Sequence, residues 1–390
     1  METEIRIPVG PQHPAFKEPI NFLLSVVGKR VVQVQLRIGY NHRGIEKAAE
    51  SRNYHQTLEL VERICGICPV CHSLAFSQGI ERLFKIEAPP RAQYIRTVMA
   101  ELERLHSHSL WMGFLMHILG FEAAFMYLWR DREIVLNLYE KITGNRVHHS
   151  LNTLGGVRRD FTPSMINAIT QGIKALKTRI EHYQTVFQRE PTVIKRTRGV
   201  GILPKEDAIR RCAVGPVLRA SGVQKDMRKD LPYAAYNDLT FKVITQQGCD
   251  VEARLYVRIN EMFESIHIIE HCLDQLPSGA LTVKAPQRPS KGEAHSRVEA
   301  SRGELFHFIL SNGQAYPFRF KVRTPTLANF SSLQTMLSNA HLADVPMIIS
   351  SIDPCVACCD RVQIVDIEEG QTQVWSGSDL RKYALQWYQS

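Results

Sequence analysis

Cysteine is scarce in this 390-residue sequence: nine residues, too few for a secreted disulfide scaffold of this length. Repeats and low-complexity linkers are absent as well. So is any dense Lys/Arg tract with interleaved aromatics, and with it the ordinary signature of a nucleic-acid partner, despite a net charge of +9. That charge is left to a solvated surface, an acidic partner subunit or an anionic membrane face. The opening residues, Met1-Glu2-Thr3-Glu4-Ile5-Arg6, carry neither a basic leader nor an apolar signal core, so no Sec export is expected. One apolar stretch, from Leu110 to Trp129, is long enough to span a bilayer. His117, Gly120 and Glu122 interrupt its middle, and buried ionisable groups are costly in lipid. Two core helices meeting near Gly120 are therefore expected instead of a span. This gives a chain soluble by itself, cytoplasmic, and attached to the inner face of the cell membrane only through partners. With 44% hydrophobic and 22% charged residues, a packed fold is affordable and disorder is excluded.

What is present begins as β structure. Val32 to Ile38 alternates apolar and polar side chains, the period of a half-buried strand. Phe22 to Val27 before Gly28-Lys29 reads as the other arm of a hairpin. From about Ala48 the periodicity becomes helical. Pro69 suits a first helical turn, and long helices are expected near 91–119, 121–142, 162–189 and 252–275, with Pro191 closing the third. Residues 195–250 are irregular, 279–323 hold short strand-like runs such as Phe306 to Leu310, and Val345 to Ile352 is an apolar run. The expected class is α+β, mainly helical, with a small N-terminal β-sheet, in one large domain.

The cysteines are clustered at opposite ends of the chain. Cys65 and Cys68 form one C-x-x-C pair, with Cys71 and His72 just after it; Cys355 and Cys358 form another, with Cys359 beside it. Each spacing lets two thiolates converge on one metal, and four thiolates favour soft or borderline ions. A thioredoxin-like pair does not explain two motifs without a β-α-β context. A structural zinc site and an iron–sulfur cluster stay open on spacing alone, although both usually draw on ligands closer in sequence. Cys71 and Cys359 read as buried small residues, the alternative for Cys359 being a register-shifted substitute for Cys358. Cys212, Cys249 and Cys272 read as packing residues.

The flanks add a resemblance. Arg63-Ile64-Cys65-Gly66-Ile67-Cys68 with His72 resembles the N-terminal signature of nickel–iron hydrogenase large subunits. Asp353-Pro354-Cys355 through Cys358 to Arg361 resembles the C-terminal signature of the energy-converting, membrane-bound branch related to respiratory complex I. Gly10 to Pro14, Asn41 to Lys47, Glu101 to His108, Gly155 to Asp160, and Arg219 to Gly222 with Asp226 and Arg228 are similar to the same branch and to the complex I 49-kDa subunit. The resemblance spans nearly the whole chain.

That resemblance implies roles. Cys65 and Cys355 would be terminal nickel ligands, with Cys355 catalytic. Cys68 and Cys358 would bridge nickel to an iron carrying CO and cyanide. His72 would hydrogen-bond the sulfur of Cys68. Arg302, in Glu299 to Leu305, would overhang the metals, although Ser301 stands where the family commonly has proline. Glu18 would begin a proton route, and His13 matches the quinone-facing position of complex I. In relatives with His at the position of Arg361, that His and a glutamate matching Glu46 hold magnesium; here Glu46 is expected as a magnesium ligand or as the salt-bridge partner of Arg361. Residues 1–361 would be the catalytic domain, and 362–390 a C-terminal extension, either removed by a maturation protease or kept as a permanent tail. The implied partners are a small subunit with a 4Fe–4S cluster, other hydrophilic and membrane subunits, and ferredoxin or a CO- or formate-oxidising module. The absence of a fused N-terminal domain favours the ferredoxin- or CO-linked form. The runner-up readings are a complex I-type scaffold without metal in this chain, a related sulfur-reducing complex and a structural zinc protein.

Overall fold

A computed structural model describes residues 3–286 and 288–359, together with 379, 382, 383, 385 and 386 of the tail. Strands β1 (Glu4–Val9), β2 (Asn21–Val27) and β3 (Arg30–Arg37) form an antiparallel sheet in that order. The central strand buries Phe22, Leu24 and Val26 on one face. The sequence reading missed β1. Its alternation is regular, but it holds Pro8, which argues against a strand except at an edge, where a missing N–H is tolerated.

Helices α1 (Ile45–Ala49), α2 (Tyr54–Glu62), α3 (Pro69–Phe84), α4 (Pro90–Ile118) and α5 (Glu122–Thr143) follow. Pro69 occupies the first turn of α3, and almost every residue of that helix is buried. A helix apolar or buried all round sits at the centre of a fold, and here α3 packs against α2 and α4. The Leu110 to Trp129 stretch folds as the end of α4, a turn at Gly120 with φ 80°, and the start of α5. Gly113 lets α5 approach closely, since a Cβ there would lie 2.5 Å from Trp129. Among the described residues no helix is long and apolar enough to cross a membrane.

A short hairpin, β4 (Asn152–Thr153) and β5 (Gly156–Val157), precedes α6 (Pro163–Arg189). Pro191 does not merely close α6; it opens α7 (Pro191–Thr197) at the position where its missing N–H is harmless. The irregular region holds α8 (Lys205–Arg210), α9 (Gly215–Arg219) and α10 (Met227–Asp230) before the long α11 (Val251–Asp274). Asp250 caps α11 by accepting from Ala253 N at 2.8 Å. Strands β6 (Gly292–Ala300), β7 (Gly303–Ser311) and β8 (Arg319–Arg323) form a second antiparallel sheet. Helices α12 (Pro325–Asn329), α13 (Ser332–Leu337) and α14 (Val345–Ser351) complete the described chain, so the apolar run before the second cysteine motif is helical.

Two hydrophobic clusters meet at that motif. Cys355 and Cys358 pack into the larger, with α3, α4, α5, α6 and α11. Val356 and Cys359 pack into the smaller, with the N-terminal sheet, α13 and α14. Alternate side chains of one turn thus lock into both halves of the molecule. A buried ionic network ties the rest together. Arg219 donates to Glu261 at 2.8 Å and Glu299 at 2.7 Å, Arg228 to Asp226 at 2.7 Å and Glu101 at 3.0 Å, and Arg104 to Glu101 at 3.2 Å. Arg104 also bonds the carbonyl of Glu299 at 2.7 Å, which fixes the β6–β7 turn that carries Arg302. The turn presses on α9: a Cβ on Gly215 would meet the Arg302 carbonyl at 2.4 Å.

Candidate metal centre

Cys65 and Cys68 stand in the loop that enters α3, with Cys68 as the residue before its first turn. Cys355 and Cys358 stand in the turn after α14. All four are buried and none is in a disulfide. The structure brings them to one point from 290 residues apart in sequence: Cys65 Sγ lies 3.1 Å from Cys355 Sγ, Cys68 Sγ 3.6 Å from Cys358 Sγ, and Cys355 Sγ 3.0 Å from Cys358 Sγ. These separations exceed a sulfur–sulfur bond and fall within the roughly 4.6 Å allowed to two thiolates sharing one ion at about 2.3 Å each.

The electrostatics suit a cation. Hydrogen bonds from Cys355, Cys358 and Cys68 hold the Cys65 thiol well below its ordinary range. Cys68 and Cys358 are pushed well above theirs, chiefly by their contacts with Cys355 and Cys65 and by burial. One thiolate forms readily in the cluster and the next ones do not, because like charges in a dry site repel. Soft dications would release the remaining protons. The donor set fits soft or borderline cations held by thiolates, a nickel–iron pair among them. His72 Nε2 faces Cys358 Sγ at 3.8 Å in place of the expected Cys68, whose sulfur lies within 4.8 Å of the ring. Burial pulls its pKa down to about 4, so it stands there as a neutral imidazole.

Charged groups hold this geometry from three sides. Arg43, in the segment before α1, donates to the carbonyls of Arg63 and Ile64 at 2.8 Å and of Ala357 at 2.9 Å, so one guanidinium staples the residues just before Cys65 and Cys358. Glu18 accepts from the N–H groups of Val356 and Ala357. Burial, then the charge of Cys65, raises its pKa, so Glu18 is no ordinary surface glutamate. Arg302 donates to the Asp353 carbonyl at 2.9 Å, to Asp353 Oδ1 at 3.0 Å and to Ser107 Oγ at 3.2 Å. Burial lowers the pKa of Arg302, but Asp353 and the thiols of Cys355, Cys68 and Cys65 outweigh it. Lys17 bonds the same Asp353 Oδ1 at 2.8 Å. Ser301 replaces the rigidity of a proline with a bond from its hydroxyl to Ser107 at 2.8 Å.

Cys359 turns away from the cluster towards the Cys355 carbonyl and Thr324, so Cys358 supplies the inward sulfur. Cys71 is buried beside Glu103, which caps α3 through Val70 N at 2.6 Å and Cys71 N at 3.1 Å. Cys272 is buried, but Cys212 is exposed and Cys249 half-buried, which corrects the packing reading for Cys212. Glu46 bonds Lys321 Nζ at 2.7 Å and Val322 N at 2.9 Å. Arg361, its expected partner, lies outside the described residues, as does nearly all of 362–390. His13 bonds only locally in what is described, accepting from Ala15 N. Sequence reasoning gave no role to Lys17, Ser107, Glu103 or Asp353; the last stands in the quoted Asp353-Pro354-Cys355 signature, and Lys17 adjoins Glu18.

Comparison with known proteins agrees with this architecture. Residues 43–186 match the nickel-dependent hydrogenase family, and residues 119–291 and 282–361 match the 49 kDa subunit of respiratory-chain NADH dehydrogenase. Membrane-bound hydrogenase subunit alpha of Pyrococcus furiosus is 38% identical over 99% of this chain and 94% of its own length. This chain belongs to the complex I-related family of hydrogenase large subunits. Other members differ in what they do. A polypeptide of the NADH-quinone oxidoreductase of Rhizobium etli is 38% identical over 92% of this chain and 96% of its own length. A solved structure of the membrane-bound sulfane sulfur reductase, an archaeal respiratory membrane complex, superposes with a TM-score of 0.87 at 34% identity, covering 92% of this chain and 98% of that one. The mainly helical fold with small sheets is that of this hydrogenase and 49 kDa family, and its members are subunits of membrane complexes.

Proposed function

We propose that this chain is the catalytic large subunit of an energy-converting nickel–iron hydrogenase. The observation that carries the reading is the convergence of four buried thiols, with three neighbouring sulfur pairs 3.0 to 3.6 Å apart. Cys65 and Cys355 would hold nickel, and Cys68 and Cys358 would be shared between nickel and an iron bearing CO and cyanide. When bound, this pair would supply heterolytic H2 cleavage and its reverse. The chain's own groups do the rest. Arg302 fixes a permanent positive charge over the sulfurs, with its orientation set by Asp353, Lys17 and Ser107. Glu18, raised by burial and in contact with the turn that carries Cys355, takes protons from the site and passes them outward. His72 steadies the shared sulfur of Cys358.

Electrons would leave through a 4Fe–4S small subunit to ferredoxin or to a CO- or formate-oxidising module. Membrane partners would couple the reaction to ion movement and hold the chain on the inner face of the cell membrane. Residues 1–361 would form the catalytic domain, with 362–390 removed after metal loading; the intact mass of active protein tests that separately. Hydrogen–deuterium exchange between H2 and D2O tests the activity in the purified complex. Exchange that disappears in Cys65→Ser supports the reading. A complex that reduces sulfane sulfur or quinone but never exchanges H2 refutes it.

A further inference from the structure

The imidazole of His72 is not alone behind the cysteines. Its Nδ1 faces Nε2 of His307 at 3.2 Å, while its own Nε2 faces Cys358 Sγ at 3.8 Å. Both rings are buried, at 1% and 0% exposure. His307 stands on the central strand β7 with its ring edge-on to Phe320 at 5.2 Å. Its other nitrogen, Nδ1, has no hydrogen-bond partner among the described residues.

These contacts allow few proton arrangements. Two ring nitrogens facing each other at this distance must share one proton: two N–H groups repel, and two lone pairs leave the contact unbonded. In one arrangement His72 Nδ1–H donates to His307 Nε2. His307 then carries its proton on Nδ1, an orphaned buried donor, and His72 turns a bare lone pair towards the thiol cluster. In the other, His307 Nε2–H donates to His72 Nδ1. His72 then carries its proton on Nε2, aimed at Cys358, and the orphan on His307 is only an acceptor lone pair. A Cys358 thiol can bond His72 Nε2 in either arrangement; once it is a thiolate, as metal binding requires, only the second arrangement bonds the sulfur. The second arrangement also avoids an unsatisfied buried N–H, the more heavily penalised defect.

We propose that His307 is a positioning residue that fixes the tautomer of His72, so that its single N–H points at the bridging sulfur of Cys358. The identity of Cys358 as a bridging ligand rests on the hydrogenase reading; the tautomer does not. A sulfur that accepts an N–H bond donates less electron density to the metals it holds, so the effect of His307 reaches the centre through two bonds without His307 touching it.

The test uses the full-length chain with nitrogen-15-labelled histidine, in metal-free and metal-loaded forms, and three sequences: the parent, His307→Phe and His307→Gln. Phenylalanine keeps the ring and removes the donor, whereas glutamine places an N–H close to where His307 Nε2 stands. In the parent, His72 should show an unprotonated Nδ1 and a protonated Nε2 in the nitrogen spectrum. His307→Phe should lose that single state and show both tautomers, and His307→Gln should restore it. In the metal-loaded complex the infrared bands of the diatomic ligands should shift in His307→Phe and return towards the parent positions in His307→Gln. A protonated Nδ1 on His72 in the parent overturns the inference, as does a His307→Phe spectrum unchanged at His72. If the tautomer is as stated but no diatomic bands exist in the loaded parent, the positioning of His72 stands and the hydrogenase reading falls.

Discussion

Arg302→Lys separates charge from geometry at the site. The parent guanidinium makes three contacts with buried partners, at 2.9, 3.0 and 3.2 Å, and carries a charge that the site never removes. A lysine ammonium is a single point of donation. It can keep Asp353 Oδ1 or reach Ser107, but not both together with the Asp353 carbonyl. Loss of two hydrogen bonds from a charged donor to buried acceptors amounts to ~1.5–3 kcal/mol each. Relaxation around the thinner side chain recovers part of that, so a net destabilisation of about 2–4 kcal/mol is expected. Turnover should suffer more, because a fixed donor over the reacting centre is replaced by a mobile one. Removal of one such preorganised donor typically costs about 10²-fold or more. Denaturant unfolding of the purified chain reads the first effect, and H2 uptake per bound nickel reads the second. Parent turnover per nickel in Arg302→Lys would refute the assignment of Arg302 to the site, whatever the stability change.

The cysteine register predicts that Cys358→Ser abolishes activity, whereas Cys359→Ser retains it, because the Cys359 sulfur turns towards the Cys355 carbonyl; retained activity in the first variant contradicts the assignment. Glu18→Gln can still accept from the Val356–Ala357 turn but cannot carry a proton, so H2/D2O exchange should fall at least about tenfold with metal content unchanged. A drop in metal content instead would make Glu18 structural. Burial raises Glu103 to about 8 from 4.5, so the folded chain holds a proton that the unfolded chain releases between those values. Its stabilising effect is complete below pH 4.5 and disappears as pH rises to about 8. Glu103→Gln should flatten that dependence, by at most on the order of 5 kcal/mol across the window; parallel pH–stability curves for variant and parent would contradict it.

Much of the fold was legible because it rests on local periodicity. The four long helices begin and end within a few residues of where Pro, Gly and apolar spacing place them, and the interruption at Gly120 already argued against a membrane span. Strand β1 escaped because it is short and little buried and because Pro8 argues against a strand, although its apolar residues alternate. Pro191 was read as a stop although proline also starts helices. At the site, the cysteines were legible because thiols in paired spacing have few other uses. The bracing of Asp353 by Lys17 spans 336 residues and leaves no periodic trace. His307 sits in an apolar strand run where its neighbours read as core. The same limit applies to Arg43, whose three carbonyl partners come from two distant loops; only the assembled fold shows that they are adjacent.

The central claim is a claim about composition, and elemental analysis of the purified complex combined with infrared spectroscopy addresses it directly. The account predicts nickel and iron bound to this chain in equal amounts, with infrared bands from CO and cyanide, all lost together in Cys68→Ser. Zinc in place of both metals, or a metal-free chain in a complex that is otherwise active, would contradict it.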